Sequence, residues 1–178
     1  MMLGLMCFVT LISLNDRSGS ASASKTTVMI AEWERAKAYT LEYLSAADEE
    51  VIVFKPTPEM RTFGQQMLHL AEANYGFASA ASGKTSPIKF GQLEKAADDY
   101  RSKDALTKAL MESYDFVIAA LKETEESQMD DSVKIFDRFE MSRETGFHKA
   151  FEHQTHHRGQ TTVYLRLKGI KPPNERLL

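Results

Sequence analysis

The chain has 178 residues, of which 43% are hydrophobic and 26% charged, with a formal net charge of −3. That is the composition of one soluble globular domain with enough apolar material for a sizeable core. The lack of any basic excess argues against a nucleic-acid partner, because a phosphate backbone is held by a cationic field.

The first residues, "MMLGLMCFVTLISL", are almost wholly apolar. The run is too short to cross a bilayer, which takes about 20 residues as a helix, and has the length of a signal-peptide core. The small polar stretch that follows contains Ala21-Ser22-Ala23, the A-x-A pattern that signal peptidase cuts after. A signal peptide over residues 1–23 is therefore expected, with a mature domain over 24–178 and no membrane span once the leader is removed. The product is then secreted or periplasmic, or cytoplasmic if the leader does not function. Cys7 is the only cysteine and lies in the leader. The mature chain would hold no disulfide, no thiolate nucleophile and no Cys-ligated zinc, so any metal site must use nitrogen and oxygen ligands.

Four amphipathic helices follow. The first is predicted over Thr27–Ala47, where Ile30, Trp33, Ala36, Thr40 and Leu44 recur at three-to-four spacing. In the link "DEEVIVFKP", the "VIVF" has the composition of a short strand. The second helix is predicted over Pro58–Ser82, with Thr57 as N-cap, Pro58 in the first helical position and Gly83 as the left-handed cap. A loop follows over about 84–101. The third helix is predicted over Ser102–Glu126, with Leu106, Leu110, Val117 and Leu121 inward. A second loop, 127–141, contains "VKIF", which can be briefly extended. The fourth runs from an N-cap at Ser142 to Lys168, stopped by Gly169 and Pro172. The fold class is all-α, a four-helix bundle, and loops of this length permit crossover connections.

Four of the five histidines crowd into "FHKAFEHQTHHRGQ": His148, His153, His156 and His157. His153 and His157 are one turn apart on one helical face, close enough for two imidazoles to grip one divalent ion. Their face runs through Gly146, Ala150, His153, His157, Gln160 and Tyr164. The fifth, His69, sits midway along the second helix on a face with Gln66, Ala73, Gly76 and Ala80, small residues that would let another helix approach. His69, His153 and His157 together would form a three-histidine site with open positions. His148 points elsewhere on the wheel. His156, on a different azimuth, is placed around the ligands or at the surface. Gln160 and Tyr164 are candidates for positioning a substrate. Arg158 is expected in a structural pair or capping a carbonyl, and Gly159 at a close packing contact. The string "HQTHH" has Gln154 where an H-E-x-x-H protease needs its Glu, and no E-x-x-H of a di-iron bundle occurs.

"HQTHHRGQTTVYLRLKGIKPP" resembles the C-terminal signature of the DinB/YfiT-like metalloenzyme family (the DinB-like domain), H-x-x-x-H-R-G-Q followed by L-R-x-x-G and Pro. "PTPEMRTFGQQMLHLAEAN", with His69, is similar to that family's second helix. The resemblance covers about Thr27 to Pro173. It implies an up-down-down-up four-helix bundle with a long crossover, a divalent ion on three histidines, zinc or nickel, and a homodimer. Some members of the family are thiol-dependent S-transferases, another is an isomerase with a thiol cofactor, and many have no known reaction. The leader departs from the family pattern and would separate this chain from a cytosolic thiol. Two readings follow: a metal-dependent enzyme of transferase or hydrolase type acting on an unidentified small molecule, or a non-catalytic metal- or ligand-binding bundle in which the ion is a structural staple.

Overall fold

Four long helices pack around one core in a computed structural model that describes residues 23–178. In chain order the elements are α1 (Lys25–Ala46), α2 (Glu49–Ile52), α3 (Phe63–Ser82), α4 (Gln92–Lys95), α5 (Lys103–Lys122), β1 (Ser132–Ile135), β2 (Phe139–Ser142) and α6 (Arg143–Leu167). Short 3-10 turns at Ala97–Tyr100 and Glu126–Gln128 complete the links. The expected leader lies outside the described residues.

Side-chain pairs between the helices fix their directions. Lys37 meets Asp115 and Lys103 meets the carbonyl of Ser45, so α1 and α5 are antiparallel. Asn74 meets Ser113 and Lys84 meets Glu123, so α3 and α5 are parallel. Gln66 meets His157 and Arg143 meets the carbonyl of Ala81, so α3 and α6 are antiparallel. Lys25 meets Glu144 and Tyr43 meets Thr162, so α6 runs with α1. The order is up-down-down-up. Parallel neighbours cannot be joined by a tight turn, so the link from α3 to α5 travels back along the bundle and carries α4 with it. Trp33, Tyr114, Tyr164, Phe63 and Phe147 are the largest fully buried side chains. Trp33 meets Tyr114 and Phe151 edge-on, at 5.7 and 5.5 Å between ring centroids.

Two local expectations fail for identifiable reasons. The second long helix starts at Phe63 rather than Pro58. Thr62 and Gln65 form a reciprocal capping box that satisfies two orphan donors, whereas Thr57 and Pro58 lie in a preceding turn closed by Met60 N–H to the Thr57 carbonyl. "VIVF" is not a strand. Asp48 caps a single helical turn that buries Val51 and Ile52, and a lone strand would have left its backbone groups unpaired. The extended reading of "VKIF" holds for its first three residues: Ser132–Ile135 pairs antiparallel with Phe139–Ser142, Ile135 opposite Phe139.

Two of the glycines, Gly76 and Gly159, do not act where the sequence suggested. A Cβ on Gly146 would lie 3.1 Å from both the Ala81 Cβ and Ile135 Cδ1, so Gly146 marks the close approach of α6 to α3 and the hairpin. Gly76 faces no helix; it seats the Phe136 ring, 3.1 Å from where a Cβ would stand. Gly159 packs against nothing within 4 Å of its Cβ position.

Candidate metal centre

His69 projects from α3 toward His153 and His157 on α6, and the antiparallel packing of these helices brings the three rings together. Centroids are 5.2 Å apart for His69 and His153, 4.6 Å for His69 and His157, and 4.2 Å for His153 and His157. One nitrogen from each ring lies within 4.8 Å of the others. His148 is exposed, 3.8 Å from Glu144, and takes no part.

Each ring is held differently. Nδ1 of His69 is 2.6 Å from Oε1 of Glu94, whose other oxygen accepts from Arg61 Nε at 2.8 Å. Nδ1 of His157 is 2.8 Å from the Gln66 amide; which amide atom faces the ring follows from the tautomer. Nδ1 of His153 is buried with no hydrogen-bond partner. Glu94 belongs to the crossover, and a buried acid puts it there. Glu72, one turn beyond His69, accepts the backbone N–H groups of Gly91 and Glu94, each at 2.9 Å, pinning α4 against α3.

The electrostatics keep two of the rings neutral. Burial presses His153 down to about 4, helped by the neighbouring His69, His156 and Arg61. Burial presses His157 down to about 3, helped by His153 and His69. Burial pushes the Glu94 carboxyl up, but hydrogen bonds from Arg61 and His69 outweigh it and leave the group below the usual carboxylate range. A neutral imidazole is the form that can donate a lone pair to a cation.

The expected accessory residues divide. Gln160 touches the cluster through Gln66 and through His156, whose Nε2 is 2.7 Å from its amide. His156 stacks edge-on against His157 at 4.9 Å. Tyr164 is not a substrate-positioning group: its ring is buried and its phenol donates to the carbonyl of Arg61 at 2.8 Å. Gln154, where a zincin has its base, is also structural. It accepts from Tyr114 at 2.9 Å and Arg158 at 2.8 Å.

A cavity of about 500 Å³ adjoins His153 and His156. Its walls are Phe77 from α3 and Ile135, Phe136, Phe139 and Met141 from the hairpin, with Lys149 and Glu152 at one side paired at 2.7 Å. Arg138 N–H closes the hairpin turn on the Ile135 carbonyl, and the two central residues, Phe136 and Asp137, have φ of 52° and 54°. A phenylalanine in that region costs about 1–2 kcal/mol relative to its usual conformation. Phe136 is held there by Phe77, 4.7 Å away, and by Phe90 at 6.2 Å.

Sequence reasoning missed Glu94, Glu72 and the hairpin wall. Glu94 sits in a segment with no helical period long enough to read, and only the crossover brings it to His69.

All-α architecture of this order with a histidine cluster between its second and fourth long helices defines a DinB-like bundle. The DinB family matches residues 22–177, and the chain belongs to that family. The fold is similar to a DinB-like protein from Bacillus cereus, with a TM-score of 0.68 at 19% identity, covering 83% of this chain and 95% of that one. A DinB-like protein from Bacillus subtilis gives 0.65 at 15% identity, over 85% and 99%. A conserved protein from Enterococcus faecalis gives 0.66 at 17%, over 82% and 98%. No curated protein matches the sequence.

Proposed function

We propose that the protein binds one divalent cation on His69, His153 and His157 and is a metal-dependent enzyme, of transferase or hydrolase type, for a small molecule seated in the adjoining apolar cavity. The observation that carries the reading is the convergence of three imidazole nitrogens within 4.8 Å, two of them on rings kept neutral by burial. The donor set fits an ion of the zinc or nickel class: nitrogen ligands only, an unanswered buried nitrogen on His153, and a carboxylate on the far side of His69. Such an ion supplies Lewis acidity toward a substrate oxygen, or toward a bound water or thiol.

The residues around it have distinct tasks. Glu94 and Gln66 orient the His69 and His157 rings. Phe77, Phe136, Phe139 and Met141 give the approach beside His153 an apolar lining. Gln160 and His156 stand at the polar margin, where a substrate's donor or acceptor would be met.

The structural-staple reading is the weaker one. Helices α3 and α6 already pack closely along their length, with Gly146 against Ala81 and Tyr164 against the Arg61 carbonyl. An ion adds little that this interface lacks, and an apolar cavity beside a staple has no purpose.

Elemental analysis of purified protein tests the site. About one ion per chain is expected, lost in His69→Ala, His153→Ala and His157→Ala and kept in His148→Ala. Equal occupancy in wild type and His153→Ala would sink the assignment. Export is part of the same proposal. Ser24, the residue after Ala23, is the N-cap of α1, so cleavage there leaves the helix start whole. Mass spectrometry of native material should find Ser24 as the first residue; a chain beginning at Met1 would remove the claim.

A further inference from the structure

Arg158 neighbours a metal-site histidine in sequence but turns away from the histidine cluster, toward α1. It is only 4% exposed, yet it forms no ion pair with any described carboxylate. Its Nη1 donates to Gln154 Oε1 at 2.8 Å and toward Thr40 Oγ1 at 3.5 Å, and its guanidinium lies 4.5 Å from the Tyr39 ring centroid. These neutral contacts offset part of the cost of burying a cation. They leave Nε and Nη2, two of the three nitrogens of a planar fork shaped for an oxyanion, with no hydrogen-bond acceptor among the described residues.

Arg158 lines a cavity of about 830 Å³ between α1, α6 and the C-terminal segment, which shares no lining residue with the apolar cavity beside His153. Arg166 and Lys171 also line it, against one acid, Glu175. Tyr39 and Tyr43, packed edge-to-face at 5.3 Å, line it from α1, and Pro172 and Pro173 line it from the C-terminal segment. Gly159 lines the cavity too. The close contact expected for it does not exist, and a Cβ there would stand in open space beside Arg158.

We propose that this cavity is a second ligand site, separate from the metal centre, which takes a small organic anion. The anion's carboxylate or phosphate pairs with the fork of Arg158, and its apolar body lies between the tyrosine wall and the proline segment. Arg166 and Lys171 draw the anion in. Glu175 opposes it.

Fluorine NMR titrations of the full mature chain with 4-fluorobenzoate, 4-fluorophenyl phosphate and neutral 4-fluorobenzamide test the site and separate carboxylate from phosphate. One of the two anions is expected to bind saturably, and the amide about tenfold more weakly or worse. Gly159→Leu fills the space while leaving Arg158 in place, and Arg158→Gln removes the charge. Each should weaken the anion about tenfold or more, and Glu175→Gln should strengthen it. His153→Ala should leave the affinity as it is. If Arg158→Gln does not fold, Gly159→Leu still decides. No saturable binding of either anion up to about 10 mM, equal affinity in Gly159→Leu, or equal affinity for the amide would each overturn the proposal.

Discussion

Replacing Glu94 with Gln should weaken metal binding without disturbing the fold. The carboxylate lies 2.6 Å from His69 Nδ1, where it fixes the tautomer and the orientation of the ring. Loss of such a partner typically lowers metal affinity about 10- to 100-fold, or about 1.4–2.7 kcal/mol. Two features put Glu94→Gln at the lower end. The side chain is 25% exposed and shared with Arg61, and a glutamine oxygen can still accept from the ring. About tenfold is expected for Gln. Glu94→Ala also frees the ring and Arg61, and should approach about a hundredfold. The crossover should stay in place in both, because Glu72 holds backbone N–H groups of residues 91 and 94, not the Glu94 side chain. Competition against a chromogenic zinc chelator at neutral pH measures the change, with His148→Ala as control. Wild-type affinity in Glu94→Ala, alongside a wild type that does bind zinc, would refute the claim that this carboxylate tunes His69.

Two glycines of α6 should respond to alanine with opposite signs in urea denaturation: Gly146→Ala is expected to destabilise by about 1–3 kcal/mol from overpacking against Ala81 and Ile135, and Gly159→Ala to stabilise by about 0.5–1 kcal/mol through helix propensity alone. Tyr164→Phe should cost about 0.5–1.5 kcal/mol for the lost hydrogen bond to the Arg61 carbonyl, with metal content unchanged by elemental analysis. In the metal-free protein, His153 and His157 titrate near 4 and 3 when folded, below the ordinary value of about 6.5, so on acidification the unfolded chain takes up protons first. Stability should be full above about 6.5 and fall from there to about 4 for the His153 share and to about 3 for the His157 share, by less than about 1.4 kcal/mol per pH unit per histidine because both rings retain solvent contact; denaturation of the chelator-treated double alanine variant over the same range should show a shallower fall.

Helix periodicity carried most of the fold. Trp33, Ala36, Thr40 and Leu44 on α1, and Leu106, Leu110, Val117 and Leu121 on α5, are buried as their spacing requires. Helix ends were legible where a cap is unambiguous, at Ser142, Gly83 and Gly169, and misread where two caps compete, at Thr57 and Thr62. The three histidines could be brought together on paper because two lie on one helix turn and the third on a helix of similar pattern. Tyr164 and Gln154 could not be sorted the same way. Both lie on α6 within two turns of the histidines, but their hydrogen-bond partners, Arg61 and Tyr114, come from segments far away in sequence. A one-dimensional pattern records which face a residue is on, not what stands opposite it.

The crossover explains why the site is more than two helices meeting. Parallel packing of α3 and α5 obliges the chain to return along the bundle after α3, and that return passes over the face carrying His69. The buried carboxylate of Glu72 anchors it there, and anchoring delivers Glu94 to the His69 ring. The link before α6 does the equivalent on the other side: its hairpin lays Phe136 on Gly76 and walls the approach to His153. The three clustered histidines come from the regular part of the fold. The carboxylate that meets one of them and the wall beside another come from the two links, and sequence change there can alter the surroundings of the cluster while leaving the bundle intact. At 15–19% identity the bundle is what this chain shares with its structural neighbours. Its own specificity is therefore to be sought in the links, in residues such as Glu94, Phe136 and Phe139.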